Sequence, residues 1–215
     1  QKAFFRNPFM KILVSGGSGF IGSNLIRMLI RRKHCAVVNV DKLTYAGSEA
    51  SLLDLADSPN YQFEKVDLCD LPALGAVFSK HEPGAVIHLA AESHVDRSID
   101  GPGPSVQTNV VGTFNLLQSA LAYWRSLPEA DKTAGEMPPS PRLSEFSPRP
   151  SRQSFRFLHV STDEVFGSLP PRAPGFSECS AYDPHSPYAA TKAASDHLVR
   201  AWGDTYGLPV MVTHS

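Results

Sequence analysis

Apolar residues along the chain gather in short runs separated by stretches of helical periodicity. Residues 11–15 (KILVS) form the first run; it breaks into glycines and then into 20–32, where Ile21, Leu25, Met28 and Leu29 recur at helical spacing. That order predicts a strand, a tight turn and a helix. Further strands are predicted at 36–40, 61–66, 85–90, 155–161 and 208–213, those at 85–90 and 155–161 apolar enough to be covered on both faces. Helical patterns at 72–80, 105–124 and 186–206 lie between them. Strands alternating with helices imply right-handed crossovers, hence an α/β fold with a doubly wound parallel sheet of the Rossmann type.

The first turn is Gly16-Gly17-Ser18-Gly19-Phe20-Ile21-Gly22, which holds glycines at 16, 19 and 22. Such glycines let backbone N–H groups approach a pyrophosphate, and the helix that follows adds the positive end of its dipole. Asp41 closes the second strand about twenty residues beyond Gly22, where a carboxylate accepts from a ribose 2′-hydroxyl and repels a 2′-phosphate. The expected cofactor is therefore NAD, held by Gly16, Gly19, Gly22 and Asp41, with Asp67 after the third strand as a candidate for the adenine amine.

The fifth strand delivers Ser161-Thr162-Asp163-Glu164, and a later helical pattern carries Tyr188 and Lys192 four residues apart, on one face. A cation beside a phenol, together with a positive nicotinamide, lowers its pKa, which would let Tyr188 act as a general base on a sugar hydroxyl. Adjacent carboxyl groups whose pKa values are driven apart supply an acid and a base at neighbouring carbons.

Composition narrows the class. With 42% hydrophobic and 19% charged residues and a net charge of −1, the 215-residue chain is an ordinary globular sequence with no basic footprint for nucleic acid or an anionic membrane. No run reaches the roughly 18 to 20 apolar residues of a membrane span. The 3 cysteines are far apart, which argues against a zinc site or a disulfide framework and suits a cytoplasmic protein. Residues 1–9 read as an N-terminal extension before a domain over 10–215. Within it, 128–154 is rich in Pro, Ser and Arg and reads as an insertion too polar for a core element.

Three longer runs, 89–98 (LAAESHVDRS), 161–167 (STDEVFG) and 186–202 (SPYAATKAASDHLVRAW), resemble the dTDP-glucose 4,6-dehydratases among the extended short-chain dehydrogenase/reductases. The resemblance covers 10–213 apart from the insertion. It implies oxidation at C4 of the sugar, loss of water across C5 and C6, and return of the hydride to C6. It also implies Glu164 as the base at C5, Asp163 as the protonated acid at the C6 oxygen, and Thr162 on the C4 hydroxyl beside Tyr188. Lys192 would hold the nicotinamide ribose, and Tyr188 is counted with the cofactor contacts. Further cofactor contacts are implied at Phe20, Ile21, Lys42, Thr44, Leu68, Leu89, Ala91 and Thr108, and a substrate contact at Ser93. His94 and His159 read as packing or polar-network residues. A homodimer of the full-length protein is implied, through the helices near 105–124 and 186–206.

Family members continue past this point into a domain that grips the sugar nucleotide, so the chain reads as C-terminally truncated, binding NAD weakly and turning over little substrate. Competing readings are a dehydratase or 4-epimerase acting on UDP-glucose, and a non-catalytic NAD-binding remnant.

Overall fold

The computed structural model describes residues 10–33, 35–129 and 150–215. The 1–9 extension and the middle of the 128–154 insertion lie outside the described residues. The insertion's flanks are joined: Arg152 N donates to Pro128 O (2.9 Å) and Gln153 N to Glu129 O (3.3 Å), so the chain leaves and re-enters the fold at one place.

Among the described residues six parallel strands, β1 (Lys11–Ser15), β2 (Ala36–Asp41), β3 (Tyr61–Lys65), β4 (Ala85–His88), β5 (Arg156–Val160) and β6 (Val210–Thr213), stand in the order β3-β2-β1-β4-β5-β6. The order reverses between β1 and β4, which opens a crevice at the carboxyl ends of those strands. Strand alternation sorts the core into two. Leu13, Val38, Val86 and Phe157 face α2 (Leu71–His81), α5 (Thr113–Ser126) and α6 (Pro187–Tyr206), where Phe78, Leu117 and Val199 meet them. Ile12, Val14 and Val37 face the other way, onto Ile26, Leu29 and Ile30 of α1 (Phe20–Lys33) and Leu52 and Leu55 of a 3-10 turn over Glu49–Leu55.

Local chemistry sets the helix ends. Asp70 accepts from Ala73 N (3.0 Å) to cap α2, and Ser186 accepts from Ala189 N (3.0 Å) to cap α6; each helix carries proline in its first turn. Gly207, at φ 72°, ends α6 in the left-handed conformation.

Three expectations are corrected. Strands β4 and β5 are shorter than predicted, because at His88 and Val160 the chain leaves the sheet to line the crevice. Coverage of β5 is one-sided among the described residues: Leu158 is half-buried, since α1 and the 3-10 turn do not reach that strand's side of their face. The pattern at 105–124 begins earlier, as α4 (Gly103–Ser105) passing through a π-helical stretch (Val106–Gly112) into α5. A short helix, α3 (Val95–Asp100), was not legible in the periodicity.

Candidate active site

The glycine turn follows β1 at the crevice. Gly16 has φ +74°, and a Cβ there would stand 2.6 Å from the backbone of Ala90 on β4's continuation; a Cβ at Gly22 would be 2.6 Å from Gly17 Cα. Only hydrogen lets the turn fold back on itself and touch both neighbours. Gly19 differs: its Cβ would have ordinary contacts, 3.4 Å to Gly16 O and 3.8 Å to Ala46 O, so the space beside it lies in the crevice. Phe20 and Ile21 head α1, 85% and 61% exposed at the crevice wall.

Asp41 ends β2 with both carboxylate oxygens oriented by the backbone, accepting from Ser18 N (3.0 Å) and Leu43 N (2.8 Å). The second bond supports Leu43 at φ 60°. Lys42 points elsewhere. Its Nζ donates to Thr108 Oγ1 (3.0 Å) and lies 3.6 Å from Asp67 Oδ2. Asp67 Oδ1 also caps the following turn, accepting from Cys69 N (2.9 Å).

At the other end of the crevice, β5 runs into Ser161 and Thr162, whose hydroxyl accepts from Glu164 N (3.3 Å) to start a 3-10 turn over Asp163–Phe166. Tyr188 enters in the first turn of α6, its N–H donating to Ser98 Oγ (3.2 Å). Lys192 follows one turn on, 4% exposed, with Nζ donating to Val160 O (2.8 Å).

Burial dominates the electrostatics. It pushes Tyr188 up to about 12, with the charge of Glu164 adding and the Thr162 side chain opposing. In the cofactor-free chain burial thus outweighs any lowering by a neighbouring cation. Desolvation brings Lys192 itself down to about 8, against the pull of Asp196. Glu164 is raised by partial burial and then by the charge of Asp163.

The structure brings together in one cleft of about 580 Å³ Gly16, Gly19, Phe20, Ile21, Gly22, Asp41, Lys42, Thr44, Asp67, Leu68, Leu89, Ala91 and Thr108 with Ser93, Thr162, Tyr188 and Lys192. Asp163 and Glu164 are not in its wall; they stand exposed beside Thr162 at the head of the 3-10 turn. His94 lines the cleft and stacks on Tyr45 at 5.4 Å, while His159 is buried with Nε2 3.2 Å from Asp196 Oδ1.

Sequence reasoning missed Asn109. In the π-helical stretch it grips the backbone of Glu92, accepting from its N–H (2.8 Å) and donating to its C=O (3.2 Å), and donates to Thr191 Oγ1 (2.9 Å). This joins the loop after β4 to α6. It also missed His88, fully buried between Ser15 (2.7 Å) and Thr113 (2.8 Å) beneath the glycine turn.

The family model described as GDP-mannose 4,6 dehydratase matches residues 13–215. The chain is 52% identical over 213 residues to dTDP-glucose 4,6-dehydratase 1 of Escherichia coli K12, an alignment covering 95% of this chain and 54% of that protein. Its fold is similar to a crystal structure of dTDP-glucose 4,6-dehydratase from Streptomyces venezuelae with NAD bound (TM-score 0.77, 38% identity, covering 95% of this chain and 55% of that one). A UDP-glucose 4-epimerase from Thermus thermophilus in complex with NAD is similar at TM-score 0.74 and 26% identity, covering 94% of this chain and 54% of that one. The chain spans about half the length of the curated relatives it matches.

Proposed function

Since the chain belongs to the GDP-mannose 4,6 dehydratase family, we propose that it supplies the NAD-binding and catalytic half of a dTDP-glucose 4,6-dehydratase. The observation that carries this reading is the meeting of the glycine turn, Asp41, Thr162, Tyr188 and Lys192 in one cleft, with Asp163 and Glu164 at its side. The residues fit the cofactor. The open side of Gly19 admits a pyrophosphate to the N-terminus of α1, and Asp41 is held where it meets a ribose diol. Phe20, Ile21, Thr44, Leu68, Leu89, Ala91 and Thr108 line the remainder. NAD supplies a hydride acceptor that is regenerated within the cycle.

Tyr188 takes the C4 hydroxyl proton as hydride leaves C4, and Thr162 orients that hydroxyl. Lys192 holds the ribose and offsets negative charge at the phenol. The ketone at C4 acidifies C5, Glu164 takes the C5 proton, and Asp163 delivers a proton to the C6 oxygen, which departs as water; hydride return to C6, with Glu164 giving its proton back at C5, would complete the 4-keto-6-deoxy sugar. The raised Glu164 carboxyl favours its role as proton acceptor. Ser93 contacts the substrate. The greater identity to dehydratases than to the epimerase favours elimination over inversion. The full-length protein is a cytoplasmic homodimer in this reading, in keeping with aromatic residues Phe114 and Tyr206 exposed on α5 and α6.

The test is incubation of the protein expressed from its own gene with NAD and dTDP-glucose. A 4-keto-6-deoxy product bears the reading out. A C4 isomer without loss of water would instead identify an epimerase, and calorimetric NAD binding without turnover a binding module.

A further inference from the structure

Asp196 is fully buried on α6, one turn beyond Lys192, and the reaction described above gives it no task. A carboxylate removed from water needs compensation by hydrogen bonds or charge. Its Oδ2 accepts from Ser161 Oγ (2.9 Å), Tyr182 OH (3.1 Å) and His214 Nε2 (3.1 Å). Its Oδ1 lies 3.2 Å from His159 Nε2, near enough for an ion pair but out of line for a hydrogen bond. The partners come from the end of β5, the segment before α6, and the residue after β6.

Those same segments enclose the Thr162-Asp163-Glu164 run. Ser161 directly precedes it, and Ser161 N and Asp163 N donate to Thr213 O (2.7 Å) and Ser215 O (3.3 Å). Phe166, at the end of the 3-10 turn, packs on the rings of Tyr182 (5.3 Å) and His214 (4.8 Å). One carboxylate thus ties together the walls around the run.

The charges nearby leave Asp196 as the counterweight to Lys192. Burial holds His159 down to about 4 and His88, whose ring centroid is 5.1 Å from that of His159, well below its usual range, so both are neutral at pH 7. Tyr182, pushed up to about 12, is a neutral donor; Arg200 sits over its ring at 5.2 Å and the His197 ring packs against it, tilted, at 4.8 Å. Asp196 is itself held below the carboxylate range despite burial, by His159, Ser161 and His214.

We propose that Asp196 is a positioning residue: its buried charge keeps the Lys192 ammonium protonated, and its hydrogen bonds to Ser161 and Tyr182 hold the Thr162–Glu164 run against α6. This deepens the reading in which Lys192 and that run act on bound dinucleotide and sugar.

The experiment follows the ¹³Cε resonance of Lys192 against pH in the cofactor-free chain, assigned with Lys192→Arg. Asp196→Asn should lower the lysine midpoint by about one pH unit or more. Asp196→Glu should restore part of that shift, and Ser161→Ala, which removes a tether but leaves the charge, should leave the midpoint in place. An unchanged midpoint in Asp196→Asn overturns the electrostatic half. Should that variant fail to fold, amide exchange carries the test: Ser161→Ala should speed exchange across 163–167 by about tenfold or more, and unchanged exchange overturns the proposal. Both readouts need neither cofactor nor substrate, so their failure leaves the proposed function standing. Failure of that function shows instead as no 4-keto-6-deoxy product from NAD and dTDP-glucose with the unaltered protein.

Discussion

Tyr188 and Lys192 stand one turn apart on α6, yet Lys192 Nζ donates to Val160 O, at 2.8 Å, and the phenol is pushed up to about 12. In the cofactor-free chain Tyr188 is therefore a protonated phenol throughout the neutral range. A positively charged nicotinamide in the cleft works in the opposite direction to burial. Adding NAD should bring the Tyr188 midpoint down, read as tyrosinate absorbance in difference spectra with Tyr188→Phe as the blank. A midpoint indifferent to NAD would remove Tyr188 as the base.

The glycines of the turn separate folding from binding. A methyl group at Gly22 meets Gly17 Cα at 2.6 Å and overlaps Gly16 O, both backbone atoms that cannot step aside. Gly22→Ala should cost about 1 to 3 kcal/mol in urea unfolding. Gly19→Ala meets nothing closer than 3.4 Å, so its stability should stay within about 0.5 kcal/mol of the parent while its NAD affinity falls. Equal destabilisation by both variants would mean that the Gly19 side of the turn is not open to a ligand.

How far the sequence could be read depended on where each residue's constraint arises. Gly16, Gly19 and Gly22 were legible because their spacing encodes a local turn, and β1, α1 and β2 because apolar periodicity survives in a short window. Tyr188 and Lys192 were legible as neighbours because helical spacing is local. The π-helical stretch was not: nothing in VQTNVVG marks it, and Asn109 is anchored by Glu92 and Thr191 from remote segments. Asp196 sits in a helix whose pattern gives no hint that an acidic residue is fully buried. That burial depends on Ser161, Tyr182 and His214 converging from three places. The 3-10 turn over Glu49–Leu55 rests on a Ser48 cap and on packing of Leu52 and Leu55 against α1, too short a signal for periodicity.

Acid should unfold the domain through its buried imidazoles. His159 binds a proton only near pH 4 when folded, and His88 is also depressed, whereas an unfolded histidine takes one near 6.5. Between those values the unfolded chain holds more protons, so stability falls as pH is lowered from about 6.5. For His159 the loss by pH 4 is about 3 kcal/mol. Asp196, depressed in the fold, adds a further loss once pH drops through its folded midpoint. Urea titrations from pH 7 to 4 should show the decline, with a shallower acid limb in His159→Asn. A stability flat across that interval would mean that the buried histidines take up their protons in the fold at the same pH as in the unfolded chain, near 6.5.

Asp41 and Lys42 are neighbours of opposite sign at the ribose end of the cleft, and the structure assigns them different work. Asp41 is fixed by Ser18 N and Leu43 N and faces the cleft, whereas Lys42 is drawn to Thr108 and Asp67. A 2′-phosphate would meet a carboxylate that cannot turn away and an ammonium already engaged. Asp41→Ala should weaken NAD by about tenfold to a hundredfold, from the loss of charge-assisted hydrogen bonds, and relieve the repulsion of NADP. The preference for NAD over NADP, from paired calorimetric titrations, should then narrow by about tenfold or more. Asp67→Ala, which frees Lys42 and leaves Asp41 in place, should improve NADP with little change in NAD. If Asp41→Ala kept the full preference, discrimination would have to reside in the loop carrying Thr44 and Gly47, and the orientation of Asp41 would serve the turn at Leu43 alone.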